Sequence, residues 1–202
     1  MIEFSTLSSF LLFCIIMSGT PGPNNAMAFV TGIQSGIRGS IPLVCGIAIG
    51  VGLQLLVVGF GLAEVFAVYP ILHEILRIVG VAYLLWLAFR IARSKPRTFE
   101  DENSKPIGFL QGALFQWINP KAWITTTGAI LTYVPATNYN ANIAMAAVLL
   151  ALVAVPCVGS WAACGSALRP AFNNPTRQQI FNVVAGLLLA ASTIPILIST
   201  IT

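Results

Sequence analysis

Charge is what this sequence has least of. Only 8% of its 202 residues are Asp, Glu, Lys or Arg, against about 25% in a soluble domain. With 57% hydrophobic residues and a mean hydropathy of +0.87, the chain is too apolar for water and reads as a polytopic membrane protein. A net charge of +4 spread over ten basic residues is too thin for a nucleic-acid surface. Metal and redox chemistry are poorly supplied too. There is one histidine, and Cys14, Cys45, Cys157 and Cys164 stand apart in apolar runs, without a CxxC pair or zinc spacing. No metal or cofactor site is expected. Acids are scarcest of all, since Glu3, Glu64, Glu74, Glu100, Asp101 and Glu102 all map to span ends or loops. The N-terminus has no basic leader and no clear cleavage site, so its apolar run is read as a retained first membrane helix.

What is present is six hydrophobic stretches, each long enough for a crossing of ~20 residues. They lie at about 5–31, 40–68, 70–92, 108–134, 142–168 and 178–201. The only strongly hydrophilic segment, RSKPRTFEDENSK at 93–105, divides them into two sets of three. The expected fold is therefore an all-α polytopic membrane protein of six transmembrane helices, a single translocator domain over 1–202. Three spans per half make the second half enter from the opposite side, so the halves form two inverted three-helix repeats, about 1–93 and 108–202, joined by a loop at about 94–107. Arg38, Arg90, Arg93, Lys95, Arg97, Lys105, Arg169 and Arg177, eight of the ten basic residues, flank loops 1–2, 3–4 and 5–6. The positive-inside rule places those loops in the cytoplasm and both termini outside.

The first and fourth spans are interrupted. The stretch SGTPGPNNAMA at 18–28 puts Pro21, Gly22, Pro23, Asn24 and Asn25 inside a membrane helix. Proline removes a backbone donor and clashes with the preceding turn, and in lipid the freed carbonyls must find partners within the protein. The helix is expected to unwind there and restart with asparagine as its N-cap, its N–H groups offered to an anion such as a carboxylate. In the fourth span QWINPKAW repeats the chemistry with Asn119 and Pro120, ninety-seven residues after Pro23 in the case of Pro120. Paired interrupted segments in two halves point to a transporter's binding site. Lys121 follows at once, near mid-span and without an acid at its depth. Three readings of it stand open: it pairs with backbone carbonyls, it loses its proton, or it binds a substrate carboxylate. An offset span would instead leave it at an interface with Trp117 and Trp123. The GxxxG from Gly46 to Gly50 indicates close helix packing. Gln54, Gln111 and Gln116 are expected to bond neighbouring helices, and His73, beside Glu74 and Arg77, to lie at the surface.

TPGPNN at 20–25, GIRGSIPLVCGIAIG at 36–50, VGVAYLLWLAFRIARS at 79–94 and FLQGALFQWINPKAW at 109–123 together resemble the LysE/RhtB family of amino-acid exporters. The last third agrees only in hydropathy and in a loose FNVVAGLLLA at 181–190, where Val183 replaces an Arg common in the family. The resemblance implies a small, multi-pass bacterial inner-membrane translocator, not an enzyme. It would export amino acids, be driven by the proton gradient and form a homodimer in the lipid bilayer. With no mid-membrane acid to meet a cationic side chain, a neutral substrate of the homoserine, threonine or leucine kind is expected over a basic one. Its substrate site would combine Pro21, Gly22, Pro23, Asn24 and Asn25 with Asn119, Pro120 and Lys121. Two other six-span readings fit these residues less well. A metal or inorganic-ion exporter needs grouped Asp, Glu, His or Cys at mid-membrane. A thiol–disulfide carrier needs two cysteines able to meet, and Cys157 and Cys164 lie two helical turns apart.

Overall fold

A computed structural model describes residues 4–62, 68–93, 107–191 and 193–194. The charged stretch at 94–105 and the side chains of His73, Glu74 and Arg77 lie outside the described residues, as do most residues of the sixth span beyond Ala191. Seven α-helices and no strand are found among the described residues: α1 Phe4–Gly19, α2 Pro23–Val57, α3 Pro70–Ala92, α4 Phe109–Phe115, α5 Pro120–Tyr133, α6 Tyr139–Leu168 and α7 Pro175–Ala191. A π-helical turn, Val58–Leu62, ends α2, and 3-10 turns follow α4 and α6. Four of the helices open on proline, at Pro23, Pro70, Pro120 and Pro175. Proline fits the first helical position because the N–H it lacks has no partner there anyway.

The long α2 is not one rod. Gly36 has φ 68 and ψ 179, a region essentially restricted to glycine, and it separates arms 23–35 and 37–57. Asn24 and Asn25 line the same small cavity as Ile47 and Val51. On a straight helix those pairs would stand roughly 33 Å apart, so the chain doubles back at Gly36. The expected loop between the first two spans is thus a one-residue hairpin turn. The other end of the molecule's longest contact, between α2 and α6, comes close to it. A Cβ on Gly36 would stand 3.7 Å from Arg169 Nη1 and 3.8 Å from Ser166 Oγ.

Packing is centred on α2 and α6, with α4 laid on α2, α1 on α6, and α3 on α7. One apolar cluster joins Phe10, Cys14, Val51, Leu55, Ile143 and Leu150; a second joins Leu43, Ile47, Leu84, Phe115, Val158 and Leu189. Small residues let the backbones touch, as small residues do between membrane helices. A Cβ on Gly50 would meet Ala113 Cα at 2.7 Å, and one on Gly112 would meet the Leu43 carbonyl at 2.8 Å. The GxxxG is therefore a packing seat for α4. Apolar residues also cover the outside: Leu131 is 86% exposed and Leu188 68%. An outer surface as apolar as the core suits a lipid solvent.

Candidate functional site

Both interruptions are present. The first spans Thr20–Gly22 between α1 and α2, narrower than expected because the helix already resumes at Pro23. The second is the 3-10 turn Gln116–Ile118 followed by Asn119 in an extended conformation, φ −88 and ψ 106. The two come together. Asn24 Nδ2 donates to Gln116 Oε1 at 2.9 Å, and Gln116 Nε2 donates back to Asn24 Oδ1 at 3.0 Å. Gln54, fully buried on the second arm of α2, donates from Nε2 to the Gln116 carbonyl at 3.1 Å. Three amides thus tie both arms of α2 to the second break. Gln111 serves only locally, its Oε1 accepting from Gly108 N at 2.7 Å.

A helix end leaves carbonyls without intrahelical donors, and at the end of α1 side chains satisfy them. Asn25 Nδ2 donates to Ser18 O at 2.8 Å and Thr20 O at 2.7 Å. Trp161 Nε1, from α6, donates to Gly19 O at 3.0 Å. Lys121 Nζ, from α5, donates to Thr20 O at 2.8 Å, Thr20 Oγ1 at 2.8 Å and Pro21 O at 3.2 Å. An ammonium has three donors, and all three rest on neutral oxygens at a helix C-terminus, where the macrodipole is negative. The Lys121 backbone sits in the first turn of α5, the positive end, so its side chain carries the charge from an unfavourable dipole to a favourable one. Gly22 makes room for this. A Cβ there would stand 2.9 Å from Lys121 Cδ and 3.2 Å from Nζ.

The expected N-capping by asparagine holds at one break and fails at the other. Asn119 Oδ1 accepts from Lys121 N at 3.2 Å and caps α5. At α2 the N-cap is Gly22, with no side-chain bond. Asn24 faces the second break, while Asn25 turns back to close the preceding helix. The reason is competition: the free carbonyls at the end of α1 need donors more than the first turn of α2, whose first N–H is already removed by Pro23. Asn142 does the same where α5 meets α6, donating to Thr137 O at 2.6 Å and Pro135 O at 3.4 Å. Asn25's amide is therefore a joint device of this fold, and the cation is what sets the first break apart.

Between the breaks lies a cavity of about 30 Å³, lined by Asn24, Asn25, Asn119, Lys121, Thr125 and apolar groups including Ile47, Val51 and Leu150. That is room for about two waters and not for an amino acid. Two buried oxygens have no partner among the described residues, Asn25 Oδ1 and Gln54 Oε1. Buried polar atoms are seldom left so. Trp123 is buried and packs edge-on against Trp117 with centroids 6.1 Å apart, its Nε1 donating to Trp117 O at 2.8 Å. The pair is an internal brace of the second break. Of the expected residues, Asn24, Asn25, Gly22, Asn119 and Lys121 line the junction. Pro21 contributes its carbonyl, and Pro23 and Pro120 act as helix starters. Thr20, Gln116, Gln54 and Trp161 join them unforeseen as parts of the site. A threonine ahead of the Pro-Gly-Pro was the available signal for the first of these, since Thr at a helix end bonds back to the carbonyl four residues earlier. No group of three or more His, Cys, Asp or Glu is placed to hold a metal among the described residues.

Two broken helices thus meet inside an apolar helical bundle. The chain belongs to the LysE type translocator family, whose pattern matches residues 15–200. It is an amino-acid efflux transporter of that family, a multi-pass inner-membrane protein. It is 35% identical over 185 residues to the cysteine/O-acetylserine efflux protein of Salmonella typhimurium strain LT2, covering 91% of this chain and 93% of that one. Against the cysteine/O-acetylserine efflux protein of Escherichia coli strain K12 the identity is 32% over 187 residues, with the same coverage of each. No solved structure matches.

Proposed function

We propose that this chain exports small neutral amino acids by alternating access around the junction of its two broken helices, driven by the proton gradient. The observation that carries the reading is the direct bridging of the breaks, by Lys121 on Thr20 and Pro21 and by the Asn24–Gln116 amide pair. In an inverted-repeat transporter the site lies where the repeats meet, and half-helix ends face the substrate's charged groups. Here a lysine and an asparagine-capped helix start supply donors for a carboxylate, and the Asn25 amide oxygen, without a partner among the described residues, supplies an acceptor for an ammonium. The rest of the lining is apolar or uncharged, which favours an uncharged side chain; cysteine and O-acetylserine, named for the relatives, are of that kind. The cavity must widen to admit any of them, and widening means parting the two breaks.

Six spans in two inverted repeats suit this arrangement. The hairpin at Gly36 separates a first span, broken at Thr20–Gly22, from a second, and α4 with α5 form the matching broken span. The nearness of Gly36 to Arg169 brings loops 1–2 and 5–6 to one end, in keeping with both facing the cytoplasm. Uptake of a labelled amino-acid panel into everted membrane vesicles tests the function. Gradient-dependent uptake of cysteine, O-acetylserine or another neutral amino acid is expected. Uptake confined to lysine and arginine, or no response to collapsing the proton gradient, would overturn the corresponding part.

A further inference from the structure

The end of α1 is built as a receptor for a primary ammonium. Its oxygens, Thr20 O, Thr20 Oγ1 and Pro21 O, receive the three N–H bonds of Lys121 Nζ at 2.8, 2.8 and 3.2 Å. The Thr20 hydroxyl proton is committed elsewhere, donated to Ile16 O at 2.7 Å, so Oγ1 turns a lone pair to the cation. The helix dipole adds to the attraction. Beside this cluster Asn25, 3% exposed, lines the cavity with an Oδ1 that has no partner among the described residues. Oxygen and nitrogen of that amide cannot be exchanged, because Nδ2 is fixed by two carbonyls.

We propose that this oxygen cluster is the subsite for the substrate's α-ammonium, and that Lys121 is its resident occupant. Loading exchanges one ammonium for another: the substrate's takes the Thr20 and Pro21 oxygens, and Lys121's moves onto the substrate's carboxylate, one carbon away. This rests on the junction being the amino-acid site. The exchange explains how a site without an acid holds a zwitterion. A charge left unpaired within a membrane is costly, and here none is bare before or after: one cation leaves the oxygens, one replaces it, and the displaced one meets an anion. The four-carbon lysine stem is flexible enough for the move, and Gly22 leaves it free to slide. The substrate class follows. It must carry a free α-ammonium beside a carboxylate to fill the site, so N-acylated amino acids and α-hydroxy acids are carried slowly at best.

The test separates the subsite from the transport reading. Lys121→Ala protein purified in detergent is melted in millimolar ethylammonium chloride and in tetramethylammonium chloride at equal ionic strength. Ethylammonium, which can donate N–H bonds, is expected to raise the melting temperature by several degrees, and tetramethylammonium not to. Binding to the folded state alone gives such a shift. Wild type, with Lys121 in place, responds to neither, and adding Thr20→Val to the variant shrinks the shift while Thr20→Ser keeps it. Equal response to the two salts overturns the subsite. A second arm serves if Lys121→Ala does not fold. In proteoliposomes Thr20→Val is expected to raise KM for the amino acid at least fivefold, with Thr20→Ser restoring it. Slow movement of the matching α-hydroxy acid should change less than twofold. Equal effects on both compounds overturn the proposal. A shift with ethylammonium but no amino-acid transport by wild type would leave a cation site and sink its role in amino-acid export.

Discussion

The two breaks solve one problem in opposite ways. The second is closed mostly by its own neighbourhood: Asn119 caps α5, Asn119 N bonds to Gln116 O at 3.3 Å, and Trp123 reaches back to Trp117, with Gln54 and Asn24 of the first half adding bonds to Gln116. The first is closed largely from the other half of the chain, by Lys121, Trp161 and Gln116, 92 to 142 residues away. A break that caps itself stays formed whatever the halves do. A break that borrows its partners loses them when the halves part. In the alternating-access cycle proposed above, the first break is the part that changes, and the second is the anchor it changes against.

Four substitutions would break or sharpen that contrast. Lys121→Met keeps the stem and removes the cation, leaving the Thr20 and Pro21 oxygens without it. Hydrogen bonds to charged groups are worth about 1.5–3 kcal/mol each, so amino-acid export should fall on the order of 10- to 100-fold in vesicles. Export at the wild-type rate would demote Lys121 to a brace. Next, Asn24→Leu leaves Gln116 Oε1 without its donor at a fully buried position, while Nε2 keeps Gly112 O. Loss of one buried partner costs about 1–3 kcal/mol, read as unfolding free energy in mixed micelles. Adding Gln116→Leu should cost less than the sum of the singles, because the pair is broken only once.

Smaller effects are expected from Asn119→Ala, which removes an N-cap worth about 1 kcal/mol. It should lower stability with KM little changed, since the second break is the anchor. A large KM effect with unchanged stability would reverse the assignment of roles. The smallest change in stability should come from Gly22→Ala, where the new methyl meets only the flexible lysine tail. Stability should shift by about 0.5 kcal/mol or less, the size of an ordinary surface substitution, while KM for the exported amino acid rises. A collapse in stability would show that the backbone at Gly22, and not the lysine, sets the geometry.

Both breaks were legible because their chemistry is local. Pro-Gly-Pro and Asn-Pro interrupt a helix in any apolar segment, and an acid-free span leaves a lysine few partners besides carbonyls. The family was legible for the same reason, in motifs of a few residues. The partners across the halves were not. Nothing in the apolar periodicity says that Gln116 meets Asn24 or that Trp161 meets Gly19. Those pairings come from how α4, α5 and α6 cross α2, which glycine contacts such as Gly50 against Ala113 decide. The turn at Gly36 was hidden because a single residue makes it, so the first two spans were set apart by a loop that does not exist. The capping roles of Asn24 and Asn25 were misread because an asparagine after a proline can serve the helix before it as well as the one it begins.

Transport by the proposed route requires the two breaks to separate. Replacing the four native cysteines and introducing Asn24→Cys with Gln116→Cys allows a short bifunctional methanethiosulfonate to bridge the two breaks through reducible bonds. Amino-acid uptake is then compared in the same everted vesicles before bridging, after bridging and after reduction. Bridging is expected to stop transport, and reduction to restore it. Transport continuing unchanged through a complete cross-link would contradict that requirement.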